Sequence, residues 1–281
     1  MEFGARSDTG RVRANNEDSL TLAPEWNLFV LCDGMGGYAC GEVASRLAAD
    51  TIAAHIRDSV SNPSLPLFGP AISGVSRAAN RLASAVRVAN RAIFDASHKI
   101  SAAANDTHNP SAAGRMGSTV VAALFNDECM SLVHVGDSRA YRLRSGAFEP
   151  LTEDHSFVAE QVRLGRMTRE ESARSTMQSV LLRALGTEPE VDVEADDELL
   201  VDGDAILLCS DGLTRELSDS QIAAVLEETG NSQQAADRLV ELANEAGGGD
   251  NVSVIVLRQA PKLVGAFARI GRWFRGGEDS H

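Results

Sequence analysis

The sequence predicts an α+β fold in layers, and three observations predict it. Short apolar runs rich in β-branched residues recur between turn signals, several of them follow one another through short loops, and stretches of helical periodicity stand apart from those clusters. A regular alternation of strand and helix would instead indicate βαβ units and a parallel sheet. Taken in order, Trp26–Cys32 is an apolar run halted by Asp33-Gly34 and is expected to be a strand. Gly41–Ile56 carries apolar residues at helical spacing. Ser61–Pro70 holds Pro63, Pro66 and Pro70 and is expected to be an exposed connection to a second helix, Ser73–Ile100. Ser118–Phe125, Met130–Val135 and Ala140–Arg144 are expected strands, the last two joined by Gly136-Asp137-Ser138 as a hairpin. Asp154–Gly186 is a polar, helix-biased insertion with Gly165 and Gly186 as stops. Asp204–Cys209 and Val252–Leu257 are further strands, and Ser218–Glu227 and Ser232–Ala246 are helices with Ser218 and Ser232 as N-caps. After Arg258, Pro261 marks a break and the composition turns basic.

Composition bounds the function. With 281 residues, 43% of them hydrophobic, the chain can bury the core of one large domain or two small ones. No apolar run approaches the roughly 20 residues of a bilayer-spanning helix. Met1–Arg6 lacks the basic-then-apolar order of a signal peptide, so a cytoplasmic location is expected. The net charge of −14 opposes binding to phosphate backbones, and no nucleic-acid partner is expected. Metal cations suit it better. The cysteines, Cys32, Cys40, Cys129 and Cys209, have no Cys-x-x-Cys spacing and are expected to be reduced core residues. The histidines are scattered without a zinc-binding pair, so a nitrogen or sulfur metal site is not expected.

The carboxylates carry the chemistry. In four places an Asp beside Gly or Asn adjoins an apolar strand: Asp33-Gly34, Gly136-Asp137, Asp211-Gly212 and Asp250-Asn251. Any one alone is an ordinary turn dipeptide. Together, several acids fixed at strand ends along one edge would make an all-oxygen cage, which selects a hard cation such as Mg²⁺ or Mn²⁺. Two such ions about 3.5–4 Å apart could share a water, lower its pKa and aim it at phosphorus. Phosphoester hydrolysis is the chemistry that follows. A protein nucleophile is not needed, and neither Gly-x-Ser-x-Gly nor a Cys-x₅-Arg loop is present. Arg13-Ala14-Asn15-Asn16-Glu17-Asp18 adds a guanidinium, whose fork matches two phosphate oxygens, beside two acids that could hold the ions' waters.

The strings R-A-N-N-E-D (Arg13–Asp18), D-G-M-G-G (Asp33–Gly37), G-D-S-R (Gly136–Arg139), S-D-G (Ser210–Gly212) and D-N (Asp250–Asn251), in this order, resemble the metal-dependent type 2C protein serine/threonine phosphatases, and their compact bacterial members most. The likeness runs from about Gly4 to Leu257 and includes Gly117-Ser118-Thr119, Asp154-His155-Ser156 and Arg183-Ala184-Leu185-Gly186. It implies a four-layer αββα sandwich of two antiparallel sheets flanked by helices, with the metal site at one end and a small helical flap, about 154–186, beside it. Residues 1–258 would form the catalytic domain and 259–281 a basic amphipathic tail. By the same resemblance, Asp33 bridges two Mn²⁺ or Mg²⁺ ions, the Gly34 carbonyl binds one of them, and Asp211 and Asp250 complete the ligands. Glu17 and Asp18 act through metal-bound water, Arg13 holds the substrate phosphate, and Asp137 contributes to a weaker third ion. The implied partners are Ser/Thr-phosphorylated proteins and a cognate kinase.

Two positions near the site and one dipeptide of the flap depart from the family pattern. Met35 stands where animal relatives carry a His proposed as general acid, and Tyr38 where many bacterial relatives carry another. Water would then protonate the leaving serine or threonine, and His155 is expected to be structural. Ser175-Thr176 replaces a frequent His-Pro, so the flap's substrate preference does not transfer. In the tail, Leu263, Phe267, Ile270 and Phe274 at helical spacing with interleaved Lys262, Arg269, Arg272 and Arg275 would suit packing on the domain or contact with an anionic membrane. The rival readings are a dinuclear phosphoesterase of small phosphates and a catalytically weak regulator that binds phosphoproteins.

Overall fold

The computed structural model describes residues 1–36, 40–103, 116–126 and 129–259. In chain order the strands are β1 (Glu2–Asp8), β2 (Asp18–Ala23), β3 (Leu28–Met35), β4 (Gly117–Ser118), β5 (Val120–Phe125), β6 (Cys129–Val135), β7 (Arg139–Arg144), β8 (Ala147–Pro150), β9 (Glu194–Leu199), β10 (Ala205–Cys209) and β11 (Val252–Arg258). The α-helices are α1 (Cys40–Ser61), α2 (Arg77–Ala103), α3 (Phe157–Arg163), α4 (Arg169–Ser172), α5 (Asp211–Thr214), α6 (Asp219–Glu228) and α7 (Ser232–Ala246).

The strands form two sheets, one ordered β1-β11-β10-β7-β8 and the other β2-β3-β5-β6-β9 with β4 added against β3. The strand pairings are antiparallel. The sheets face each other across Phe29, Leu31, Val121 and Leu132 on one side and Ile206, Leu208, Ile255 and Leu257 on the other. Alternate residues of the same strands point outward: Leu28, Val30 and Cys32 pack under α1 and α2, and Leu207, Cys209, Val254 and Val256 under α7. Both faces of these central strands are therefore covered, which is why they read as unbroken apolar runs rather than alternating ones. Each such side chain contributes about 1.5–3 kcal/mol on burial. The result is the expected four-layer αββα sandwich.

Four strands escaped the sequence pattern, β1, β2, β8 and β9, and each is the edge of its sheet. An edge strand buries less, so Glu194-Ala195-Asp196-Asp197-Glu198-Leu199 carries acids where a central strand carries Val or Ile. The expected hairpin at Gly136-Asp137-Ser138 is also corrected. β6 and β7 belong to different sheets, and the turn carries the chain from one layer to the other. The hairpins that do form include β7–β8, closed by Ser145 and Gly146 at φ 50° and 81°, the left-handed pair that a two-residue turn needs. β3 runs past Cys32 to Met35, so Asp33 lies within a strand and not after it.

Helix limits shift by a few residues. α2 begins at Arg77 rather than Ser73, and Asn231, not Ser232, caps α7 by accepting from the Gln234 N–H at 3.0 Å. Ser218 does precede α6, with its N–H donating to Gln221 Oε1 at 3.0 Å. The Ser61–Pro70 connection is largely exposed. The insertion 154–186 holds only the short helices α3 and α4; Gly165 at φ 67° follows α3 as expected, whereas Gly186 at φ 81° ends no helix. The four cysteines are free, Cys32 and Cys209 buried and Cys40 and Cys129 half-buried. No helix among the described residues is long and apolar enough to cross a membrane. The expected tail helix and Tyr38 lie outside the described residues.

Candidate active site

One end of the sandwich gathers the acids. Asp18 opens β2 and lies in register with Asp33 on β3. Asp137 occupies the turn between the sheets, Asp211 follows β10 as the first residue of α5, and Asp250 precedes β11. A pocket of about 370 Å³ at this end is lined by Arg13, Glu17, Asp33, Gly34, Asp137, Asp211 and Asp250 among others, and Asp18 lies buried nearby. The carboxylates, Gly34 and Arg13 that the sequence singled out are thus brought to one place. Met35 lines the same pocket, and Ser179 and Leu181 from the insertion close one side.

The backbone around the acids is fixed from several directions. The Asp33 N–H donates to Thr119 Oγ1 at 3.0 Å, and its carbonyl accepts from the Thr119 N–H at 2.8 Å. Gly34 donates its N–H to the Glu17 carbonyl at 3.0 Å, and any Cβ there would sit 2.1 Å from the Gly41 carbonyl oxygen. Only glycine allows so close an approach. Asn251 ties two segments together: its Oδ1 accepts from the Glu17 N–H at 2.8 Å, and its amide donates to the carbonyls of Thr9 and Asn15 at 2.9 Å each. It therefore seats the Arg13 loop against the Asp250 turn. Ser210 donates to Asp18 Oδ2 at 3.0 Å, while Asp18 Oδ1 is buried without a hydrogen-bond partner.

This crowding of negative charge moves the carboxyl pKa values. Burial, reinforced by Asp211 and Asp250, pushes Asp18 up to about 7 against the hydrogen bonds from Ser253 and Ser210. Burial and Asp211 push Asp137 up to about 7. Asp33 is raised well above the carboxylate range by burial and by Asp18, Asp211, Asp137 and Asp250, and Asp211 is raised chiefly by burial. Glu17 is raised more mildly, again by burial. Burial and mutual repulsion thus disfavour the charged forms, which a cation at the centre of the cluster would restore. An unpartnered buried carboxylate oxygen and an all-oxygen donor set fit a hard divalent cation.

Two guanidinia reach into the cluster. Arg13 meets Asp250 with Nε to Oδ1 at 2.9 Å and Nη2 to Oδ2 at 2.9 Å, and its own pKa is raised by that hydrogen bond. Arg215, which the sequence reading passed over, pairs with Asp211 and with Asp250 Oδ2, the latter at 3.1 Å. Asn251 was visible as part of an Asp-Asn dipeptide. Arg215 had no comparable signal.

The root of the insertion is tied to the Asp137 turn. His155 is structural as expected: its Nδ1 accepts from the Gly136 N–H at 3.1 Å, and its Nε2 lies 3.0 Å from Glu194 Oε1. His134 stacks on it with ring centroids 4.5 Å apart. Burial and the neighbouring His134 and Arg183 press His155 down to about 4, so both rings are neutral at pH 7, with His134 also lowered by burial. The fold thus brings ligand atoms of His134, His155 and Glu194 within 4.8 Å of one another, a grouping that their sequence spacing does not show. Arg183 shares the group, donating to Glu194 Oε1 at 2.9 Å. Arg139 grips Asp154 through two contacts of 2.7 Å and joins the insertion to β7.

The sequence profile of protein phosphatase 2C matches residues 10–245. The chain belongs to the protein phosphatase 2C family. It is 40% identical over 256 residues to the serine/threonine protein phosphatase PstP of Mycobacterium tuberculosis, a match that covers 91% of this chain but only 44% of that protein. The chain therefore spans less than half the length of PstP. The serine/threonine phosphatase Stp of Listeria monocytogenes is 30% identical, with 92% of this chain and 96% of that protein covered. Among solved structures, the catalytic domain of PstP in complex with two manganese ions superposes with a TM-score of 0.73 at 38% identity, covering 91% of this chain and 96% of that one. The two-sheet sandwich is thus the fold of these phosphatase 2C relatives.

Proposed function

We propose that this phosphatase 2C member hydrolyses phosphoserine and phosphothreonine in proteins with Mn²⁺ or Mg²⁺ as cofactor, and that it opposes a Ser/Thr kinase in the cytoplasm. Residues 1–258 would be the catalytic unit and 154–186 a flap beside the site. The observation that supports this most is the convergence of Asp33, Asp137, Asp211 and Asp250 with Arg13 on one pocket. Asp33, the Gly34 carbonyl, Asp211 and Asp250 would hold two ions, and Asp137 with Asp211 a third. Bound there, the ions supply Lewis-acid charge that acidifies water and offsets the negative phosphate.

The protein's own groups do the rest. Arg13 presents a planar fork to two phosphate oxygens and orients the ester in the pocket. Its side chain is 55% exposed, so it can turn from Asp250 to the substrate. Glu17 and Asp18 serve as proton acceptors for ordered water, and Ser210 keeps Asp18 aimed. Met35 has no proton to give and no histidine among the described residues lines the pocket, so the leaving alkoxide takes its proton from water. Ser179 and Leu181 confine the entrance on the flap side.

The test is turnover of phosphothreonine and phosphoserine peptides by the full chain. Activity should need Mn²⁺ or Mg²⁺, vanish with EDTA, and exceed turnover of nucleotides. It should survive thiol alkylation, because Cys32 and Cys209 are buried and burial pushes the Cys209 thiol up to about 12. Peptide turnover that persisted after exhaustive chelation would overturn the metal-dependent reading. Faster hydrolysis of nucleotides than of peptides would favour a small-phosphate esterase.

A further inference from the structure

Arg215 closes α5, its N–H donating to the Asp211 carbonyl at 2.9 Å, and this single turn sets its guanidinium over the Asp211 carboxylate. The other arm reaches Asp250 Oδ2 at 3.1 Å, the same oxygen that Arg13 contacts at 2.9 Å. Arg215 thus holds two acids from two different strand ends. A guanidinium stays charged wherever the protein is folded, so this cation cannot be removed by pH. Its partners are two of the groups assigned above to the metal ions. A carboxylate already paired with a guanidinium offers a divalent ion less negative charge, and the two cations repel each other at this range.

We propose that Arg215 is a resident counter-cation: it holds Asp211 and Asp250 together and competes with the ions for their negative charge, so that it lowers the metal affinity of the site. This rests on the metal-dependent reading above. Arg215 is suited to the part by its position. Its side chain is only 35% exposed, against 55% for Arg13, so it is less free to serve incoming substrate. Its bonds are charge-assisted and bridge two carboxylates, which sets them above an ordinary surface ion pair. Without it, Asp211 loses its ion-pair partner and Asp250 keeps only Arg13.

The experiment is calorimetric titration of Mn²⁺ into the metal-free full chain, comparing the natural protein with Arg215→Gln and Arg215→Lys, together with thermal unfolding in EDTA. Arg215→Gln should bind Mn²⁺ about three- to tenfold more tightly, with Arg215→Lys between the two. Its unfolding temperature in EDTA should fall, and saturating Mn²⁺ should abolish the difference. Equal or weaker Mn²⁺ binding by Arg215→Gln would overturn the inference while leaving the metal site standing. Absence of Mn²⁺ binding in the natural protein would overturn the site reading and this inference with it. If Arg215→Gln does not fold, Arg215→Lys decides: Mn²⁺ binding equal to or weaker than that of the natural protein refutes the proposal.

Discussion

Replacing Asp18 by Asn should stabilise the metal-free protein at pH 8, although it removes a residue of the proposed active site. Asp18 is buried, one carboxylate oxygen has no partner, and its pKa rises from 3.8 to about 7. That difference corresponds to about 4 kcal/mol of unfavourable charge burial. Asparagine keeps an oxygen for the Ser210 hydroxyl, now 3.0 Å from Asp18 Oδ2, so that bond need not be lost. Because Asp33, Asp211 and Asp250 share the same repulsion, about half of the total, some 2 kcal/mol, should be realised, or about 4 °C in Tm for a chain of this size. The sign depends on pH. Between about pH 4 and pH 7 the folded carboxyl keeps a proton that the unfolded chain has lost, so stability falls as pH rises through that window. At pH 5 only about one of those three pH units has been crossed, so the substitution should gain about a third of its pH 8 effect. The assay is thermal unfolding in EDTA at both pH values, repeated with excess Mn²⁺, where the natural protein should gain more than the variant. A variant less stable than the natural protein at pH 8 in EDTA, or equally stabilised at pH 5 and pH 8, would refute the reasoning.

Three further outcomes are expected. Arg13→Ala should lower kcat/KM for a phosphopeptide by about 10- to 100-fold, mainly through KM, while calorimetric Mn²⁺ binding persists; loss of the ions with unchanged KM would show that Arg13 does not serve the phosphate. Gly34→Ala should cost about 3 kcal/mol and weaken Mn²⁺ binding, because the added carbon would lie 2.1 Å from the Gly41 carbonyl oxygen and 2.6 Å from that of Glu17; a variant with unaltered Tm would show that the approach can relax. Asp137→Ala should reduce kcat by about 100-fold with Mn²⁺ still bound at Asp33, Asp211 and Asp250. Full turnover there would make Asp137 a turn residue, and an empty central site would make it a primary ligand.

Much of this protein is legible before it folds. Strands covered on both faces have no polar face to interrupt them, so the central β3, β5, β6, β10 and β11 announce themselves as apolar runs, and glycines beside aspartates mark where those runs stop. The same chemistry makes the carboxylate set readable, since only a cation explains so many acids against strand ends. What the one-dimensional pattern leaves open is decided by partners distant in sequence. The edge strands β1, β2, β8 and β9 exist because a neighbour offers its free backbone groups, whatever their own composition. Whether Gly136-Asp137-Ser138 makes a hairpin or crosses between layers depends on the sheet that claims β7, and β10 and β8 claim it. Arg215 and Asn251 gain their roles by the same rule. Arg215 reaches Asp250 only because β10 and β11 pair, and Asn251 reaches Glu17 only because the starts of β2 and β11, strands of different sheets, meet at one end of the sandwich. Residue type determines what a side chain can do, and the pairing of remote strands determines what it does it to.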